Sequence, residues 1–233
     1  MNKLLMTEKT GFFETKHERL PENLPIFPLY GVLLLPGGNL PLNIFEDRYL
    51  EMIDDALKDS RLIGMVQPNK SASDDENSEN KSKNFTIGCA GRITSFSETE
   101  DRRVVINLTG VCRFEIAKEM THEKSYRLVK PQWNGFLDDL STDRCMDLDR
   151  EKLFGFLEKY FEIHSLSCSW ESIRSTPNEK LITALAMICP LDACEKQALL
   201  EARTCQERAE LFMTMLELSV HSQSAQNDNF PRH

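Results

Sequence analysis

No run of apolar residues in this 233-residue sequence approaches the ~18–20 that a membrane-spanning helix needs, so no membrane association is expected. The amino terminus carries Lys3 but neither a sustained apolar stretch nor a small-residue cleavage site. That speaks against a secretory leader and for a cytoplasmic protein. Positive charge is in short supply: 28 Lys and Arg stand against 37 Asp and Glu, and the net charge of −9 argues against a broad surface for nucleic acid. The seven cysteines, Cys89, Cys112, Cys145, Cys168, Cys189, Cys194 and Cys205, are odd in number and include no C-x-x-C pair. With no export signal, the expectation is reduced, mostly buried thiols. Cys189 and Cys194 with His164 or His221 come nearest to a metal set, but their spacing resembles neither a zinc ribbon nor a finger. No metal or other cofactor is expected.

Catalytic signatures are missing as well. There is no G-x-x-x-x-G-K-S/T or G-x-G-x-x-G loop to cradle phosphates, no G-x-S-x-G elbow and no H-E-x-x-H helix. The five histidines, His17, His122, His164, His221 and His233, fall in polar tails, a polar turn or a helix end, with no partner constellation. Asp54 and Asp55 are helix neighbours that point about 100° apart, which suits solvated surface better than an acid–base pair. A non-enzyme is therefore expected. A hydrolase site assembled in space from distant residues is the alternative that sequence spacing cannot address.

What is present begins with residues 24–57, LPIFPLYGVLLLPGGNLPLNIFEDRYLEMIDDAL. Prolines and a Gly-Gly pair among apolar residues forbid a plain helix or a plain sheet. The chain is expected to fold back in short strand pieces and then cross over by a helix at 47–58, with Tyr49, Leu50, Ile53 and Leu57 on its apolar side. A strand at 62–66 follows. Residues 68–84, PNKSASDDENSENKSKN, hold no large apolar residue and read as a mobile polar loop inside the domain. From Phe85 the pattern has period two through Ile93, returns over 104–108, and continues through Cys112, Phe114 and Ile116 after a bulge or bend at Gly110. A last strand lies near 126–129.

After a polar connection at 134–145 everything reads as helix. Leu153, Phe156, Leu157, Tyr160 and Phe161 form one apolar stripe, and Leu181, Leu185 and Ile188 form another. Three helix starts are marked by Thr176-Pro177-Asn178-Glu179, by Asp192 with Glu195, and by Thr204 with Glu207. The expected organisation is α+β: a flexible lead-in at 1–23, a β pseudo-barrel lobe with one helix at 24–133, a bundle of about four helices at 134–222, and a disordered tail at 223–233. Arg48, Arg92 and Arg113, with Glu46, either pin strand to helix, line a groove, or are exposed charge. Phe27, Tyr30, Phe45 and Tyr49 are either core or a peptide-docking surface.

The run LPIFPL, LLLPG and LPLNIFEDRYLEMIDDAL, followed by IGCAGRITSFSETED, VVINLTGVCRFEI and YRLVKPQW, resembles the amino-terminal domain of the Lon ATP-dependent protease. The carboxy-terminal helices, TPNEKLITALAMICPLDACEKQALLEARTCQERAELFMTML, fit the same series, so the resemblance covers most of 24–218. It is similar in extent to stand-alone bacterial proteins built from that domain alone. The resemblance implies a PUA-like β pseudo-barrel with a helical lobe and the binding of protein or peptide clients. The expected role is an adaptor or regulator in protein quality control, with an ATP-dependent protease as a candidate partner that the sequence itself does not identify. The ATPase and Ser–Lys protease motifs of Lon do not occur here, so neither activity carries over. Candidate peptide-binding residues are Phe45, Arg48, Tyr49, Arg92 and Trp133. RNA binding is the alternative that a PUA-like barrel implies.

Overall fold

The structure is a computed structural model that describes residues 20–69, 84–101, 103–141 and 147–227. Most of the expected lead-in, most of the polar loop at 68–84 and the end of the tail lie outside the described residues.

Six strands form one mixed sheet: β1 (Leu24–Pro28), β2 (Asn39–Ile44), β3 (Leu62–Val66), β4 (Ile87–Glu98), β5 (Val104–Met120) and β6 (Arg127–Gln132). Their order is β2-β5-β4-β3-β1-β6, and a further pairing of β5 with β6 closes five of them into a ring. One long strand makes this closure possible. The first part of β5 pairs with β2, its last part pairs with β6, and β4 runs along most of its length. The change of direction falls where Ala90 pairs with Cys112 but Gly91 pairs with Gly110, leaving Val111 as the extra residue of a bulge. Gly110 must be glycine here, because a Cβ would sit 2.0 Å from the Leu35 carbonyl oxygen. The crossing chain is bonded at this point, Gly37 N donating to Gly110 O at 2.9 Å and Gly110 N to Gly38 O at 2.8 Å.

The stretch 24–57 departs in one respect from the expected series of strand pieces. Residues 32–35 are not a strand; they cross the sheet in irregular conformation with Leu33, Leu34 and Leu35 all buried. A continuous apolar run serves this purpose as well as it serves a strand. The helix α1 (Asp47–Lys58) and β3 fall at their expected bounds.

Alternate strand residues enter two apolar clusters. Leu24, Ile26, Leu62, Ala90, Cys112, Phe114 and Val129, drawn from all five ring strands, fill the ring interior. Phe27, Ile63, Met65 and Cys89 point the other way, into a larger cluster shared with α1 and with the later helices. Period two thus buries both faces of β3, which is why LIGMV reads as a continuous apolar run.

Five helices follow the 3-10 turn Leu137–Leu140: α2 (Arg150–Ile163), α3 (Trp170–Ser175), α4 (Asn178–Ile188), α5 (Ala193–Glu201) and α6 (Cys205–Asn227). The one beyond the expected four is α3, whose six residues are too few for an apolar stripe; Ser169 caps it by accepting from Ser172 N. Asp192 and Glu195 form a reciprocal capping box on α5. Thr204 accepts from Glu207 N at 3.1 Å. The expected Thr176 cap is not formed: Pro177 holds the N-cap position, and the Thr176 hydroxyl donates to Ser172 O instead. α6 continues to Asn227, past the residue where the bundle was expected to end.

Strands and helices are joined by buried polar contacts. Arg113, on the outer side of β5, forms an ion pair with Asp139 at 2.8 Å, with both side chains less than a tenth exposed. Its Nη1 also donates to Leu200 O and Ala202 O, and its Nη2 donates to Arg203 O. Arg208 adds a bond to Leu199 O at 2.9 Å. Two guanidinium groups therefore satisfy the carbonyls at the α5 carboxy terminus. Arg113 is a pin between strand and helix, not exposed charge. At the amino-terminal end of α5, Gln67 accepts from Gly31 N and donates to Ala193 O, while Lys196 Nζ donates to Gly31 O at 2.8 Å.

The cysteine expectation needs one correction. Cys89, Cys112, Cys168, Cys189 and Cys194 are free thiols, but Cys205 is disulfide-bonded. Sequence spacing gave no sign of this, since such a bond depends on proximity in the fold.

Candidate functional site

The residue pattern around the end of β2 creates an apolar hollow. β2 delivers Leu42 and Ile44 to the inner side of the sheet, and the chain then turns at Phe45 and Glu46 into α1. The first turn of α1 supplies Arg48 and Tyr49, and the end of β1 supplies Phe27, Pro28 and Leu29. Together these residues line a hollow of about 220 Å³. Tyr49 is its buried floor: its ring lies 4.2 Å from that of Phe27, and the Arg48 guanidinium sits 4.6 Å above it. Burial raises the Tyr49 pKa, with Arg48 acting in the opposite direction, so the phenol stays neutral at physiological pH. Arg48 is held by Glu46 at 2.6 Å, an exposed pair that orients the guanidinium more than it stabilises the fold. Phe45 stands at the rim, 64% exposed, with Arg103 5.9 Å from its ring.

Three of the five residues singled out in the sequence, Phe45, Arg48 and Tyr49, thus meet in one place. Arg92 and Trp133 lie elsewhere. Arg92 is half-buried in β4 opposite Leu62 and Thr109. Trp133 closes the ring interior, its ring 5.7 Å from Phe114 and its Nε1 donating to Pro21 O at 3.1 Å. Among the four aromatics left open by the sequence, Phe27 and Tyr49 are core, while Phe45 and Tyr30 are exposed.

A larger cleft of about 670 Å³ lies at the other end of β2, between the loop at 36–39 and the helices α4 and α6. Met187 and Ile188 form its apolar wall, with Lys180, Glu179 and Arg208 as charged lining. Ile188 corrects the expected stripe of α4: Leu181, Ile182, Leu185 and Cys189 are buried, and Ile188 is 74% exposed. Ile188 lies seven residues from Leu181 and so within the periodicity of the stripe; its exposure follows from the burial of Ile182 and Ala186, which turns the buried arc to the other side of Leu185.

The buried thiols of the core are not activated nucleophiles. Burial pushes the Cys112 and Cys189 thiols up to about 12 and Cys89 well above its ordinary value, which keeps all three protonated. Among the described residues no group of three or more His, Cys, Asp or Glu is placed to hold a metal ion. No described helix is long and apolar enough to cross a membrane. An aromatic rim, an apolar floor and a tethered guanidinium suit the binding of an apolar or aromatic side chain.

Comparison with known proteins agrees with this architecture. The model of the ATP-dependent protease La (LON) substrate-binding domain matches residues 23–217. The chain is 25% identical over 230 residues to the Lon protease of Flavobacterium johnsoniae, covering 92% of this chain and 26% of that protein. It is 28% identical over 200 residues to the Lon protease of Parabacteroides distasonis, covering 82% of this chain and 23% of that one. The chain thus spans about a quarter of the length of these relatives. Among solved structures, the Lon N-terminal domain protein from Xanthomonas campestris superposes with a TM-score of 0.57 at 22% identity, covering 82% of this chain and 97% of that chain. The N-terminal domain of Mycobacterium avium complex Lon protease gives 0.56 at 16% identity, with coverages of 84% and 98%.

Proposed function

This chain belongs to the substrate-binding domain family of ATP-dependent protease La (Lon), and from that premise we propose that it is a protein- and peptide-binding module. It holds apolar segments of client polypeptides and acts as an adaptor or regulator in cytoplasmic protein quality control, with an ATP-dependent protease as its partner. The observation that carries this reading is Phe45, a large aromatic side chain left 64% exposed at the rim of an apolar hollow. Exposed aromatic groups beside a concave apolar floor are the usual anchors of protein recognition. Arg48 and Arg103 flank the rim and favour clients with an acidic or aromatic group next to the apolar one.

The test uses a permanently unfolded protein, reduced and carboxymethylated, titrated against the chain by fluorescence anisotropy. Binding is expected, and Phe45→Ser is expected to weaken it about tenfold without lowering the melting temperature. No binding by the native chain, or equal affinity for both forms, would refute the proposal.

A further inference from the structure

We infer that the outer edge of β2 receives an extended segment of a client as an added antiparallel strand; this rests on the peptide-binding reading above and specifies how the segment is held. β2 ends the sheet order and pairs with β5 alone among the described strands. The direction of its backbone groups follows from the register. Gly110 N donates to Gly38 O, so Gly38 and Gly110 are a hydrogen-bonded pair. Antiparallel pairs alternate, so Leu40, Leu42 and Ile44 also bond β5, while Asn39, Pro41 and Asn43 turn their backbone groups away from it. Pro41, which has no N–H to give, sits at one of these outward positions, as an edge strand requires.

The outer edge therefore offers carbonyls at Asn39, Pro41 and Asn43 and N–H groups at Asn39 and Asn43. None of them makes a hydrogen bond among the described residues, and all three residues are exposed. Such a row is a template for another strand. The missing Pro41 donor makes the template asymmetric. A second β2 edge, which carries the same gap, would form fewer bonds with it than a client strand that keeps all its own donors.

The side chains of an added strand would meet two different surfaces. Those paired with Asn39, Pro41 and Asn43 would lie on the outer face, where Asn107, Thr109 and Thr94 already form a polar network with Asn39. Those in between would lie on the inner side, toward the hollow beside Leu42 and Phe45 at one end and the cleft beside Met187 at the other. The occupant that fits is an extended polypeptide with apolar residues at every second position and polar residues between them.

The experiment uses a fluorescein-labelled peptide of alternating valine and threonine, about eight residues long, so that it spans β2 at ~3.4 Å per residue. Two variants are N-methylated, one at the threonines and one at the valines. Strand addition predicts that methylated threonines, whose N–H groups face β2, lose about tenfold or more in affinity, while methylated valines bind nearly as the parent does. Amide hydrogen exchange at Asn39 and Asn43 is expected to slow when the parent peptide is added. If the parent and both variants bind equally, strand addition is wrong while peptide binding stands. If neither the parent nor the unfolded protein probe binds, both readings fall. Protection of Asn39 and Asn43 that rises with protein concentration in the absence of peptide would assign the edge to a second copy of this chain and overturn the inference.

Discussion

At the seam between ring and helices, the Arg113 guanidinium gives its N–H groups to Asp139 and to three carbonyls around the end of α5, with almost no solvent in reach. Along the outer side of β2, some distance away on the same sheet, the carbonyls of Asn39, Pro41 and Asn43 and the N–H groups of Asn39 and Asn43 have no partner among the described residues, and Phe45 next to them lies open to solvent. Both regions are built from short polar and apolar alternations. They differ in whether the fold itself uses the bonding capacity it creates. Satisfied polar groups mark framework, because an unpaired group buried there would be costly. Unused backbone groups beside exposed aromatic surface are what the proposed binding reading rests on.

Breaking the framework side should have the largest effect. Arg113→Met leaves the Asp139 carboxylate buried without its cation and takes the guanidinium donor from Leu200 O and Arg203 O. The expected loss is about 3–5 kcal/mol in urea unfolding. A loss below ~1 kcal/mol, the size of an exposed pair, would remove the distinction drawn above. Gly110→Ala comes next. Its Cβ would meet the Leu35 backbone rather than a side chain that can rotate, so a loss of about 1–3 kcal/mol is expected, with disturbance centred on the 35–38 crossing.

On the recognition side the ordering of effects reverses. Phe45→Ser should leave stability within about 0.5 kcal/mol of the native chain. A large drop in unfolding free energy would mean that Phe45 supports the fold and would blur the contrast.

The smallest effect concerns the hairpin tip between β5 and β6, which docks on α1. Glu51 accepts from the Ser125 hydroxyl at 2.6 Å, and Asp55 is paired with Lys124 at 3.1 Å and with the Tyr126 hydroxyl at 3.0 Å. Hydrogen bonds from Ser125 to Glu51 and from Lys124 to Asp55 are the leading causes that lower both carboxyl pKa values. A lowered folded-state pKa means that the contribution is present above the unfolded carboxylate value and is lost as pH falls through the folded one. The Ser125 amide resonance should therefore move in an acid titration below the usual carboxylate range, and Glu51→Gln should remove much of that movement. A flat titration would show that the tip does not depend on these carboxylates.

The sequence carried much of this architecture in its spacing. α1 and β3 appear at their observed bounds because an apolar stripe and a short apolar run are each bounded by polar turns. Gly110 announced the bulge at Val111, and Asp192 with Glu195 announced the start of α5. Other features depend on which elements meet, and local pattern does not contain that. Arg113 falls on the polar phase of β5, which reads as surface until helices cover the outside of the ring. Phe45 and Tyr49 look equivalent in the string, yet the turn into α1 buries one and exposes the other. The open edge did leave one trace in the sequence, since a proline inside a strand pattern belongs at an edge, and Pro41 sits in the strand that has one.

The most direct test of the central claim, that the β2–Phe45 surface is where clients are held, is an amide NMR titration of the chain with the unfolded protein probe. The account predicts shift changes gathered at Leu29, Tyr30 and residues 39–48, with the Arg113 and Asp139 amides unmoved. Changes gathered on the far side of the bundle, with residues 39–48 silent, would contradict it.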